Sequence, residues 1–132
     1  MSRRFTITVG TRHAVAELLD DAPTVAGKFW DALPLSSFAI HAKFAGGEMI
    51  VMLPFHADRE HEVLDVRRGD IGYFPDMQTL CLFYGDVTPF GYVSVFARVV
   101  DGLDEMTAAG SDLLESVSVP VELSPLKTEA KR

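Results

Sequence analysis

Three ionisable side chains, His41, Lys43 and Glu48, are spaced so that they could form one reactive site. They flank Gly46-Gly47, a pair suited to a two-residue turn between two strands. With that turn, His41 would lie opposite Met52, and side-chain alternation would place all three ionisable groups on one face of the hairpin. We therefore predict that they border the main pocket.

The chemistry available to this group is proton transfer. An imidazole titrates near neutral pH, so His41 could act as an acid or a base, and burial would raise the pKa of Glu48 toward that of a general base. Lys43 would bind a carboxylate or polarise a carbonyl, which implies a small anionic or amide substrate. The alternative is a solvated outer face with a cross-strand ion pair worth ~0.5 kcal/mol, and the sequence leaves both readings open.

Aromatic side chains that could wall such a pocket gather in and after the stretch Gly69–Gly85. Within it, Leu80–Tyr84 is apolar at every position and bounded by turns, which predicts a strand covered on both faces. These aromatics could fill a barrel core or line a ligand site. Together with Lys43, the predicted substrate-binding residues are Tyr73, Phe83, Tyr84 and Phe90. Cys81, in so apolar a strand, is interpreted as a buried structural thiol.

The most charged segment, His56–Glu62, raises the question of a metal site. His56 and His61 are five residues apart, whereas a helical metal site places its histidines four apart with a glutamate between them. We interpret the segment as a solvated loop and predict no metal.

The bulk composition limits the function classes. The chain has 132 residues, enough for one domain, which we place at residues 1–126 with a flexible tail at 127–132. The net charge of −7 disfavours nucleic-acid binding, and the single cysteine excludes an internal disulfide. No apolar run approaches the ~20 residues of a spanning helix, and the N-terminus lacks a secretory pattern, so we expect a cytoplasmic protein away from membranes. No cofactor is predicted, and a homo-oligomer stays open.

Hydrophobic periodicity and turn residues predict mostly strands with two helices. The helices are Pro23–Leu33, capped by Asp20-Asp21 and ended by Pro34, and a short one after Asp101 that stops at Gly110. The other predicted strands are Phe5–Val9, His13–Leu19, Phe38–Phe44, Met49–Leu53, Tyr92–Val100 and Val117–Leu123.

This order of elements resembles the cyclophilin-like barrel, and stretches within 16–30, 93–106 and 41–48 resemble cyclophilin itself. The resemblance implies a mainly β fold, a closed barrel of about eight antiparallel strands with two helices. In prolyl isomerases an arginine follows the histidine and a glutamine precedes the paired glycines, whereas this chain has Ala42 and Ala45. Because alanine cannot donate the hydrogen bonds of those side chains, we predict that prolyl isomerase activity is absent or negligible.

A longer motif points to one group within that fold. Gly69–Pro75, followed by Cys81–Gly85, resembles the bacterial, uncharacterised cyclophilin-like proteins called DUF3830, with relatives of the TM1367 type. The leading functional hypothesis is a small-molecule-binding protein, and whether it is also an enzyme stays open. The alternatives are a non-catalytic domain that binds a peptide or a partner subunit and, third, a prolyl isomerase.

Overall fold

A computed structural model describes residues 3–89 and 91–126 of the chain. These residues form nine strands and two helices. The elements are β1 Arg4–Val9, β2 Arg12–Leu18, α1 Pro23–Ala32, β3 Leu35–His41, β4 Gly46–Met52, β5 Glu62–Val63, β6 Asp70–Phe74, β7 Thr79–Val87, β8 Val93–Asp101, α2 Leu103–Leu113 and β9 Val119–Pro125. The predicted tail at 127–132 lies outside the described residues.

Eight of the strands close into an antiparallel barrel. Their order is β2-β1-β9-β3-β4-β7-β6-β8, and β8 pairs back onto β2, while the short β5 adds to β8. Closure leaves no long unpaired edge among these strands. The closed, mainly β barrel with two helices is therefore confirmed. Neither helix of the described chain is long and apolar enough to cross a membrane.

Alternation along the strands produces two separate apolar clusters. The larger cluster fills the barrel, where Phe29 of α1 packs against Phe5 and Phe96 with ring centroids 4.7 and 5.0 Å apart. The smaller cluster lies on the outer surface of the sheet and consists of Ala42, Ile50, Cys81, Phe83 and Val93. Successive residues of β7 alternate between the two clusters. The prediction that Leu80–Tyr84 is covered on both faces is confirmed, because all five residues are buried.

The N-terminus of α1 is capped from a distant part of the chain. Asp20-Asp21 was the predicted cap, but the residue at the cap position is Ala22 and its side chain makes no capping hydrogen bond. Instead the Glu60 carboxylate accepts hydrogen bonds from the backbone N–H groups of Thr24 (3.1 Å) and Val25 (3.0 Å). Burial alone would raise the pKa of Glu60, but these hydrogen bonds outweigh it and lower the pKa. Glu60 thus fastens the charged loop to α1.

Replacing Glu60 with glutamine, which keeps one acceptor oxygen but loses the charge and the second acceptor, is expected to destabilise the protein by about 0.5–1 kcal/mol. Since the pKa of Glu60 is lower in the folded chain, its contribution is present above pH 4.5 and is lost as the pH falls through the folded-state pKa. Urea unfolding at pH 7 and at acid pH should therefore show a gap between the two proteins that narrows on acidification. Asp21→Asn is the control, and an equal loss of stability there would mean that Asp21 caps the helix as the sequence predicted.

The β3–β4 connection differs from the prediction. The turn lies at residues 43–45, and the strands pair His41 with Met49, not with Met52. Gly46-Gly47 belongs to β4, where a Cβ on Gly47 would lie 2.7 Å from the Cα atom of Gly85 in β7. The glycines allow two backbones to approach closely, which is a role that a turn signal does not reveal. The observed pairing differs from the predicted one by an odd number of residues, so the β4 side chains that were predicted to share a face with His41 lie on the opposite face.

The end of α2 also corrects the prediction. Gly110 lies inside the helix, which continues to Leu113. A Cβ on Gly110 would lie 2.2 Å from Cζ of Tyr84, so this position needs glycine because the tyrosine ring crosses directly over the helix backbone. A helix-stop signal and a close-packing signal look alike in the sequence.

Candidate functional site

The structure separates the three predicted reactive groups. Glu48 faces outward with Ile50, whereas His41 pairs with Met49, whose side chain belongs to the cluster inside the barrel. Lys43 lies in the exposed turn. The expectation that all three share one face is therefore wrong, because the turn precedes the glycines. Glu48 and His41 belong to two distinct arrangements.

Glu48 lies in a narrow cleft on the outer surface of the barrel. The cavity volume is about 20 Å³, room for roughly one water molecule. Its lining residues come from the β3–β4 connection, from β4, β6, β7 and β8, and from the segments beside them: Ala42, Phe44, Glu48, Ile50, Phe74, Met77, Thr79, Cys81, Pro89, Gly91 and Val93. Almost all of this lining is apolar, so a polar ligand group that enters has few partners.

The Glu48 side chain is buried among apolar residues, and one of its carboxylate oxygens makes no hydrogen bond to the described residues. The residue is only 6% exposed, and its Oε1 atom is buried without a hydrogen-bond partner among the described residues. Burial raises the pKa of Glu48, and a hydrogen bond with the Cys81 thiol opposes that rise. A buried carboxyl oxygen without a partner is costly, so Oε1 is the atom of this cleft that most needs a hydrogen-bond donor.

Cys81 and Thr79 complete a short polar row beside Glu48. Both are buried residues of β7, and the Thr79 hydroxyl lies 3.9 Å from the Cys81 sulfur. Burial raises the pKa of Cys81 well above its ordinary value, and the neighbouring Glu48 charge and hydrogen bond raise it further. A thiol in this state is a weak donor and not a nucleophile.

His41 forms a second arrangement with Tyr84. Its Nε2 atom lies 2.6 Å from the Tyr84 hydroxyl, the two rings meet edge to face, and Nδ1 is buried without a partner among the described residues. Burial and then the charge of Lys43 lower the pKa of His41, while burial raises that of Tyr84. Both groups are therefore neutral at pH 7, and the pair reads as a hydrogen-bonded contact beneath α2.

The other predicted aromatic residues take different places. Tyr73 is fully buried in the barrel, where its hydroxyl accepts a hydrogen bond from the Ala57 N–H at 3.0 Å and its ring stacks on Phe55. Phe83 is buried in the outer cluster next to the cleft and pairs across the sheet with Glu48. Phe90 lies outside the described residues. Their assignment to substrate binding stays a prediction.

Sequence reasoning missed most of the cleft lining. Phe44 comes from the β3–β4 connection, and Phe74, Met77 and Thr79 come from the β6–β7 hairpin. The available signal was the alternation of β7, which puts Thr79 and Cys81 on the face opposite to Leu80 and Leu82. That alternation shows that Thr79 and Cys81 share a face of β7, but it does not show which other parts of the chain pack against that face.

The charged loop shows no metal-binding geometry. Among the described residues, no group of three or more His, Cys, Asp or Glu side chains could hold a metal ion. His56 and Asp58 are 3.8 Å apart and both are exposed.

Comparison with known proteins identifies the family. The model of DUF3830, described as a protein family of unknown function, matches residues 5–125. The chain belongs to the DUF3830 family. No curated protein matches it significantly. The family match spans both helices and, apart from the first residue of β1, all nine strands.

Two solved structures share the fold of this DUF3830 chain. One is McbB in complex with tryptophan, with a TM-score of 0.84 and 19% identity over 97% of this chain. The chain spans less than half of McbB, 46% of its length. The other is the solution structure of the hypothetical protein AF2241 from Archaeoglobus fulgidus, with a TM-score of 0.74, 22% identity and 95% of each chain covered. At these identities the likeness concerns the fold.

Proposed function

We propose that this protein binds a small, largely apolar compound in the Glu48 cleft and that the compound presents an ammonium or N–H group to the carboxylate. The observation that carries the proposal is the partnerless Oε1 atom of a nearly fully buried glutamate in an apolar cleft. An ionised carboxylate can only accept hydrogen bonds, so a donor on the ligand satisfies it. A cation would also offset the cost of burying the charge.

The charge of the cleft sets the ligand class. Lys43, which was expected to bind an anionic group, is exposed and does not line the cleft. Glu48 would repel an anion, so the anionic substrate suggested by the sequence is replaced here by a donor such as an amine or an amide. Apolar side chains around the carboxyl favour an aromatic or aliphatic body.

The size of the cleft limits what enters it. The cavity holds one small group, such as a terminal amine, next to Glu48. The body of the ligand then lies across the rim, where Phe44 is 71% and Met77 is 47% exposed. Covering these apolar side chains adds hydrophobic stabilisation of about 25 cal/mol per Å².

The McbB complex supports this class of ligand. McbB, which shares the barrel fold, binds tryptophan. Tryptophan combines an aromatic body with an ammonium group, the two features that the Glu48 cleft favours.

Glu48 also gives the site a proton acceptor. Burial raises the pKa of Glu48 toward neutral pH, and a general base works best when its pKa lies near the working pH. We assign the proton-accepting role to Glu48 alone, because His41 faces the interior and is paired with Tyr84. The catalytic role of His41 stays a prediction.

The test uses tryptamine, which carries an amine, and indole-3-propionate, which carries a carboxylate on a similar body. Calorimetry at pH 7.5 should show tighter binding of tryptamine, and Glu48→Gln should weaken that binding roughly tenfold or more, the worth of a charge-assisted hydrogen bond. Glu115→Gln removes an exposed carboxylate elsewhere and serves as the control. Equal affinity for both compounds, or unchanged tryptamine binding by Glu48→Gln, would refute the proposal.

The same variant reports on its own folding. Because the pKa of Glu48 is higher in the folded chain, the protein loses stability as the pH rises from 4.5 through the folded-state pKa. Glutamine carries no charge at any pH, so Glu48→Gln should be at least as stable as the natural protein at neutral pH. Weakened binding in a stable variant then reflects the lost carboxylate.

A further inference from the structure

Cys81 lies in the same cleft as Glu48, on the neighbouring strand. On the outer face of the sheet, Ile50 pairs directly with Cys81, and Glu48 is two residues before Ile50 on the same strand. Cys81 is thus the diagonal cross-strand neighbour of Glu48, within reach of its side chain. Both residues line the cleft and both are buried.

We propose that Cys81 is a positioning residue, whose thiol donates to the Glu48 carboxylate and leaves Oε1 free for the ligand. The inference rests on the proposed function, since it concerns the orientation of the same carboxyl. Thr79 lies on the other side of the sulfur, where its hydroxyl can orient the thiol. The three side chains form one polar row along the apolar wall.

The electrostatics agree with this arrangement. The hydrogen bond from Cys81 favours the ionised form of Glu48 and so opposes the effect of burial on its pKa. The thiol itself stays protonated because burial and the Glu48 charge both raise its pKa. Glu48 and Cys81 are the titratable side chains among the described residues that line the cleft. Cys81 therefore acts through Glu48 and not as a nucleophile.

The decisive experiment measures the titration of Glu48 in the free protein, from the ¹³C resonance of its side-chain carboxyl. Cys81→Ala should move the midpoint upward, because the ionised form loses a donor, and Cys81→Ser should restore it with a hydroxyl donor. Leu82→Val is the control, since Leu82 is the next residue of β7 but faces the interior. It should lower stability without moving the midpoint.

Ligand binding gives a second readout. At pH 7.5, Cys81→Ala should bind tryptamine roughly five- to tenfold more weakly and Cys81→Ser close to the natural level, as expected for the loss of about one hydrogen bond. An unchanged midpoint in Cys81→Ala, or an equal shift in Leu82→Val, overturns the positioning role. If the natural protein binds no amine, the proposed function fails, while the titration of the free protein still decides the role of Cys81. If Cys81→Ala does not fold, Cys81→Ser decides the role of Cys81. A midpoint equal to that of the natural protein supports the proposal, because the serine hydroxyl donates in place of the thiol, and a raised midpoint contradicts it.

Discussion

Gly110→Ala is expected to destabilise the protein by about 2 kcal/mol, although alanine is the better helix former. The added Cβ would lie 2.2 Å from Cζ and 2.4 Å from Cε2 of Tyr84, far inside contact distance. Tyr84 is buried and tied to His41, so its ring cannot turn away without losing that hydrogen bond. Overpacking of this kind costs about 1–3 kcal/mol and exceeds the gain of about 1 kcal/mol in helix propensity.

Two further variants separate the clash from the helix effect. Gly27→Ala, in α1, meets nothing within 4 Å and should stabilise the protein by about 0.5–1 kcal/mol. Combining Gly110→Ala with Tyr84→Leu should cost less than the sum of the two single changes, since the ring is gone. Chemical unfolding of the natural protein, Gly110→Ala, Tyr84→Leu and the double variant measures this cycle, and additive losses would contradict a direct clash.

Gly47→Ala is expected to lower the free energy of unfolding by about 2–3 kcal/mol and to abolish tryptamine binding. Its Cβ would lie 2.7, 2.9 and 3.1 Å from the Cα, N and C atoms of Gly85, and backbone atoms cannot move aside as a side chain does. The two strands would have to separate at the residue that precedes Glu48. Unfolding in urea and calorimetry measure the two effects.

Gly85→Ala is the matched control from the other side of the same contact. There the new Cβ would lie 3.5 Å from the Cα atom of Gly47, an ordinary van der Waals distance. We expect a change within about 0.5 kcal/mol and retained binding. Equal losses in both variants would mean that the glycines are needed for something other than this close approach.

Strand β7 shows how much of the fold could be predicted from the sequence. Its apolar residues at consecutive positions, bounded by turns, predicted a strand covered on both faces, and the two clusters confirm it. The hairpin β1–β2 and helix α1 could likewise be predicted, since strand and helix periodicity and turn residues are local properties of the chain. The closed barrel was predicted from the resemblance to the cyclophilin-like fold, because closure depends on pairing between distant strands. The motif within Gly69–Gly85 was specific enough to predict the family, which the match over residues 5–125 confirms.

The errors have a common physical cause. Gly46-Gly47 and Gly110 were interpreted from their local conformational freedom, but each lies where a distant backbone or ring comes too close for a side chain. The cap of α1 was sought among its immediate neighbours, whereas Glu60 supplies it across the fold. Local signals cannot distinguish these cases because the deciding atoms are far along the chain.

For the candidate site, the sequence by itself singled out Glu48 and the strand that holds Cys81. Only the tertiary structure decided which groups share the cleft. Pairing of β4 with β7 sets Glu48 beside Cys81, and the position of the β3–β4 turn sends His41 to the opposite face. Because side chains alternate with a period of two, an odd shift in the pairing of β3 with β4 moves every β3 side chain to the other face relative to Glu48. That pairing depends on contacts between strands, which the sequence of one strand does not contain.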